Sequence, residues 1–186
     1  LNQTLLCVVF PTEGLHSDIH YAIDIIDTIL VGNMSSRLFI SLREKHGLAY
    51  DIGSDIEIYE EAGYYNITTR VKYENAKKAL DLIIKHIKNI KKNEVSTDEL
   101  NKALNYTINS EKMIEDDIES IVEFYGEQFM FKHQIISLEN HIKKYRKINS
   151  ETIKTVANKV FDFSKMNILS IGYATTNQLK RNLRLN

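Results

Sequence analysis

Three sets of side chains in the sequence have types and spacings that invite chemistry. The first is His16, His20 and Asp24, four residues apart, which a helix would bring toward one face as a metal requires. A zinc peptidase of the HExxH kind, or its inversion HxxEH, also needs a glutamate beside a histidine as general base. Neither pattern occurs here. Ser17 is a favourable N-cap, which leaves His16 outside the helix and His20 in its first turn. The simpler reading is two surface histidines at a helix entry. His46, His86, His133 and His141 have no carboxylate or histidine at ligand spacing, so the expectation is no metal and no cofactor held by this chain. The second candidate is Cys7, inside the apolar run Leu5–Phe10 with no histidine near it in sequence. A lone thiol in such a run reads as a small core residue. No GxSxG elbow and no glycine-rich phosphate loop is present either.

The third set is Arg43 and Tyr50. A guanidinium and a phenol are both hydrogen-bond donors, and together they can hold a peptide carbonyl or a developing oxyanion. The competing reading is a solvated arginine paired with Glu44 and a tyrosine half-buried at a strand start. On the residue types alone, that bland reading is the simpler one.

The elements that would position these groups follow from periodicity. Leu5–Phe10 reads as a strand ended by Pro11 and Gly14. Ile19, Ala22, Ile23, Ile26 and Leu30 recur at helical spacing up to Gly32. A second helix is predicted from Ser35 or Ser36 to Gly47, carrying Arg43 in its last turns. From Tyr50 the period becomes two, with Tyr50, Ile52, Ser54, Ile56 and Ile58 on one face, and Tyr64–Val71 completes an antiparallel hairpin across Gly63. Ala76, Leu80, Ile83, Ile87 and Ile90 mark an amphipathic helix. Ser96 with Glu99 and Asp116 with Glu119 read as capping boxes. Further helices are expected near Ser137–Arg146 and Ser150–Val160, then a strand over Met166–Tyr173. The order β-α-α-β-β-α-αααα-β predicts an α+β fold, a largely antiparallel sheet with helices packed on one face. We read one domain over 1–186, with a core of about 4–173 and a polar tail, 174–186.

Composition narrows the functional classes. Charges balance at 24 basic against 25 acidic residues, a formal net of −1, which gives no electrostatic case for nucleic acid or an anionic membrane. No apolar run is long enough to span a bilayer. A single cysteine gives no disulfide framework and favours a reducing compartment, so a cytoplasmic location is expected. The sequence opens on Leu1 rather than Met and reads as a piece of a longer chain.

The segment Met34-Ser35-Ser36-Arg37-Leu38-Phe39, then Arg43-Glu44-Lys45 and Gly47-Leu48-Ala49-Tyr50, resembles a motif of the insulinase/pitrilysin/mitochondrial processing peptidase family. The second homologous half in that family reads roughly GMSSRLF…REKxGLAY. Leu6–Pro11 with Tyr21-Ala22-Ile23-Asp24, Glu74-Asn75-Ala76 and the stretch Val95–Leu100 extend the resemblance over about Thr4 to Gly172. It implies a clamshell of paired α+β domains in which zinc sits on an HxxEH helix of the partner half. The half resembling this chain would be the C-terminal, non-zinc-binding one. It supplies an Arg and a Tyr, seven positions apart as Arg43 and Tyr50 are, that contact the substrate carbonyl and the tetrahedral intermediate. The implied function is substrate binding and transition-state assistance in a zinc metalloendopeptidase acting on peptides or unfolded polypeptides. Its partner would be a homologous zinc-binding domain or subunit, with a dimer also open, and the chain alone would be inactive. The alternative is a non-catalytic scaffold or partner-binding domain of an inactive paralogue.

Overall fold

The computed structural model describes residues 3–173 and residue 179. Four strands pair antiparallel in the order β2-β3-β1-β4: β1 (Gln3–Glu13), β2 (Ala49–Ile58), β3 (Ala62–Lys72) and β4 (Asn167–Ile171). Six α-helices among the described residues accompany them: α1 (Ile19–Leu30), α2 (Ala76–Lys92), α3 (Thr97–Lys112), α4 (Ile118–Glu127), α5 (Leu138–Tyr145) and α6 (Ser150–Val160). Between α1 and β2 lies a π-helical segment, Phe39–Lys45. This is the predicted α+β architecture. The expected tail, 174–186, lies outside the described residues except for Leu179, which is buried.

Alternation along β1 sends Thr4, Leu6, Val8 and Phe10 into the core. They meet Tyr65, Ile67, Thr69 and Val71 of β3, all buried on the same face, and α2 and α6 pack over that face. β1 runs past Pro11, where the sequence suggested an end. β4 pairs with β1 only from Leu5 to Val9, so at Pro11 the missing N–H can face an unpaired side. Cys7 lies on the opposite, open face of the sheet, half-buried rather than in the core. Burial first, and Asp55 second, push its thiol up, away from thiolate chemistry.

Two helix starts differ from the sequence reading. At α4 the cap is Asp117, whose carboxylate accepts from Ser120 N at 2.9 Å, because Asp116 is taken up in the preceding 3-10 turn. At α1 the Ser17 hydroxyl turns back to Glu13 at 2.5 Å and only weakly accepts from Ile19 N, so Asp18 stands at the N-cap without a side-chain capping bond. Of the Ser96–Glu99 capping box one half is present: Ser96 Oγ accepts from Glu99 N, while the Glu99 carboxylate turns instead to Arg37.

α1 is buried nearly all round, contacting α3, α5 and α6. Two carboxylates go into the interior with it. Tyr65 on β3 donates to Asp27 Oδ1 at 2.9 Å, and Tyr145 on α5 donates to Asp24 Oδ2 at 2.6 Å. Burial raises both carboxyls, Asp24 to about 6, with the Tyr145 bond opposing and Glu111 and Asp27 adding to the rise. A carboxyl raised on folding stabilises most while it is protonated. Its contribution is fully present below the unfolded value near 3.8 and is lost as pH rises through about 6. Asp24→Asn keeps an acceptor for Tyr145 and removes the buried charge. Chemical denaturation should therefore show the variant gaining about 1–3 kcal/mol relative to the parent between about pH 4 and about pH 7.5. A pH-independent difference would contradict this account.

Candidate substrate-contact site

The segment between α1 and β2 is held by its own polar residues. Asn33 Oδ1 accepts from both Ser35 N and Ser35 Oγ, Asn33 Nδ2 donates to the Thr28 carbonyl, and Ser36 Oγ donates to the Val31 carbonyl. Arg37 then leaves the turn toward the helical layer. Its Nε and Nη2 meet the two oxygens of Glu99 on α3 at 2.7 and 2.6 Å, and Nη1 donates to Asn89 of α2 at 2.9 Å. With its side chain 17% exposed, Arg37 is a clamp between three elements.

Arg43 is placed differently. The π-helical turn that carries it closes with Gly47 N donating to the Arg43 carbonyl at 3.1 Å and Leu48 N to the Leu42 carbonyl at 2.8 Å. Gly47 sits at φ +57, the left-handed conformation that lets the chain reverse out of the helix. His46 Nδ1 bonds the Ser41 carbonyl at 2.7 Å, satisfying one of the terminal acceptors. Leu42, Leu48 and Ala49 are buried and anchor the corner in the core. Wide helical turns of this kind are frequent at functional sites.

The strand that follows begins with a bulge. Ala49 pairs with Val71 and Asp51 with Arg70, so Tyr50 is the extra residue. The sequence alternation put Tyr50 on the same face as Ile52. The bulge overturns that, leaving Ala49 buried and Tyr50 84% exposed. Its hydroxyl has no hydrogen-bond partner among the described residues. The Arg43 guanidinium lies beside it, with Nη1 donating to the Tyr50 carbonyl at 3.4 Å, and rests over the Phe39 ring at 4.9 Å. Glu44 is a loose neighbour at 3.9 Å from Nε. The arginine side chain is 47% exposed. The corner therefore brings the two predicted residues together on the surface, each with donors left to give.

The first candidate set is divided. His16 is exposed, but His20 is buried and bonds the Gly14 carbonyl through Nε2 at 2.8 Å, so the surface reading fails for His20. Among the described residues no three His, Cys, Asp or Glu side chains form a metal-binding group. His141, which lacked a ligand-like neighbour in sequence, meets Glu111 at 3.0 Å through Nε2 and Tyr21 at 3.2 Å through Nδ1. Sequence spacing missed this cluster because its members come from α1, α3 and α5.

Crystal structures of a peptidase M16 inactive domain from Pseudomonas fluorescens and of a protease from Helicobacter pylori superpose with TM-scores of 0.82 and 0.84, at 23% and 15% identity. They cover 94% and 93% of this chain and 42% of each of those chains. The chain belongs to the peptidase M16 inactive domain family, whose model matches residues 1–106. Its similarity to a protein of Rickettsia bellii described as an uncharacterized zinc protease is 29% identity over 168 residues, 88% of this chain and 40% of the relative. The chain thus spans about two fifths of the curated relatives it matches first. No described helix is long and apolar enough to cross a membrane.

The two arginines of the motif should separate in a stability measurement. Arg37→Ala strips Glu99 of a two-pronged partner and should cost about 2 kcal/mol in urea unfolding. Arg43→Ala should stay within about 0.5 kcal/mol, as exposed side chains with loose contacts do.

Proposed function

We propose that this chain is the substrate-binding, transition-state-assisting half of a zinc metalloendopeptidase that hydrolyses peptides or unfolded polypeptides, with the zinc supplied by a partner domain or subunit. The observation that carries the reading is the Arg43–Tyr50 corner. The guanidinium sits against the backbone of a residue whose phenol is solvent-facing and unpartnered. Neither donor set is consumed by a strong internal acceptor, unlike that of Arg37. Zinc-protease naming among relatives that extend well beyond the matched domain supports a metal-bearing partner.

In this reading Arg43 and Tyr50 donate to a substrate carbonyl beside the scissile bond, and their bonds strengthen as negative charge grows on the tetrahedral oxygen. The π-helical turn and the bulge hold both groups before substrate arrives, so little ordering remains when it binds. The partner's metal would polarise the carbonyl and activate water.

In the assembled protein, Arg43→Ala should lower kcat/KM for peptide hydrolysis about 100-fold and Tyr50→Phe about 10-fold, with zinc content unchanged. Unchanged hydrolysis in both variants with zinc retained would leave the domain a scaffold rather than a contributor to chemistry. Assayed without a partner, the chain should neither cleave peptides nor retain stoichiometric zinc after dialysis. Tight one-to-one zinc lost on His16→Ala and His20→Ala would contradict this.

A further inference from the structure

α4 runs without a break into a π-helical turn, Gln128–Lys132, and ends at His133 in the left-handed conformation. At about 100° per residue its side chains fall into three rows. The inward row is Ile121, Phe124 and Gln128. Phe124 lies edge-on to the His141 ring of α5 at 5.2 Å. The Gln128 amide donates to the Phe124 carbonyl at 3.1 Å and accepts from Ile136 N at 2.9 Å. These contacts set the rotation of the helix, so the other two rows face outward.

The second row is Ile118, Val122, Tyr125 and Phe129, spaced four, three and four residues apart. That spacing makes one apolar stripe, the seam by which a helix packs on another helix. Here the seam is open. Ile118, Val122 and Phe129 are 79%, 64% and 66% exposed, and Met130 and Phe131 extend the apolar surface past the end of the stripe. Single exposed apolar side chains are ordinary, but a stripe of three turns marks an interaction surface.

The third row is acidic. Glu119, Glu123 and Glu127 stand on successive turns beside the stripe, all exposed, and Glu115 and Asp116 lead into it. Between Lys112 and Lys132 there are six carboxylates and no basic residue, although the whole chain has a formal net charge of only −1. Asp117 commits its carboxylate to the α4 cap. The other five make no ion pair among the described residues.

Charge decides among the occupants. A second copy would set six carboxylates against six, and an anionic membrane surface would be repelled in the same way. A helix whose apolar stripe is flanked by Lys or Arg satisfies both rows at once, apolar against apolar and cation against carboxylate. We propose that the outer face of α4 docks a basic amphipathic helix of a partner protein. The face shares no residue with the Arg43–Tyr50 corner, and the proposal does not rest on the peptidase reading.

The test is calorimetric titration of the full chain with three amidated peptides of about 18 residues, or five helical turns. The first is a lysine-flanked helix with leucine at the same four-three spacing. The second has glutamate for every lysine, and the third scrambles the first so that the stripe is lost. The first is expected to bind one to one, and the other two are not. Val122→Ser with Phe129→Ser should weaken it about 10-fold or more. Glu119→Lys with Glu123→Lys should weaken it to a similar degree and admit the glutamate peptide. All four side chains are exposed, so both variants should keep the parent circular dichroism. No binding of the first peptide would overturn the proposal. So would equal binding of the scramble or of the glutamate peptide, or binding that both variants leave unchanged. A chain that sediments as a dimer, dispersed by Val122→Ser with Phe129→Ser, would make a second copy the occupant and overturn it too.

Discussion

The burial of α1 is the constraint on which the architecture depends. Ile23, Ile25, Ile26, Ile29 and Leu30 are sealed on nearly every side, so the helix has no solvent face on which to relax. Fully burying each such side chain is worth roughly 1.5–3 kcal/mol. Hydrophobic burial is not directional, however, and would tolerate a helix that slid or rotated. The directional terms are the phenol–carboxylate bonds at Asp24 and Asp27. One fixes α1 against β3 and the other fixes it against α5, so the sheet and the helical layer are registered through the same helix. Charge desolvation opposes both bonds, so they fix position more than they add stability.

That registration reaches the surface corner in a few steps. The chain leaves α1 at Val31, is turned by Asn33 and Ser36, and is pinned by Arg37 to α2 and α3. Only then does the π-helical segment begin. Arg43 is thus cantilevered from a clamped base, while Tyr50 is placed by strand pairing on the far side of the corner. Two groups from different kinds of secondary structure can meet reproducibly only if both supports are rigid. The family motif retains residues for both tasks: Ser36 and Arg37 for the base, Gly47 to Ala49 for the return into the sheet.

Much of this was legible in the sequence. The period-two and helical patterns identified the sheet and the helices because those patterns record burial, which is a local property of each element. The Ser96 cap was legible for the same reason. The Asp116 cap missed by one residue, since a 3-10 turn absorbs the first two of three consecutive acidic residues, Glu115 and Asp116, and sequence alone does not choose among them. His20 was misplaced outside the core because its partner is a backbone carbonyl, which carries no sequence signal. The Asp24–Tyr145 and His141–Glu111 contacts span long stretches of chain, and no spacing rule reaches that far. The Arg43–Tyr50 pairing came through family resemblance; side-chain chemistry by itself favoured the bystander reading.

The bulge at Tyr50 also bears on how the chain tolerates change in length. Strand side chains alternate with strict parity, and the extra residue reverses that parity between Ala49 and Asp51. The buried side chains before and after the bulge are therefore out of step, and only an odd insertion reconciles them. Losing one residue here would force either the Leu48–Ala49 anchor or the Ile52–Ile58 face out of its layer. The corner is thus guarded by arithmetic as well as by chemistry. Many residue types can occupy the bulge without unfolding the sheet, but the number of residues in it is fixed.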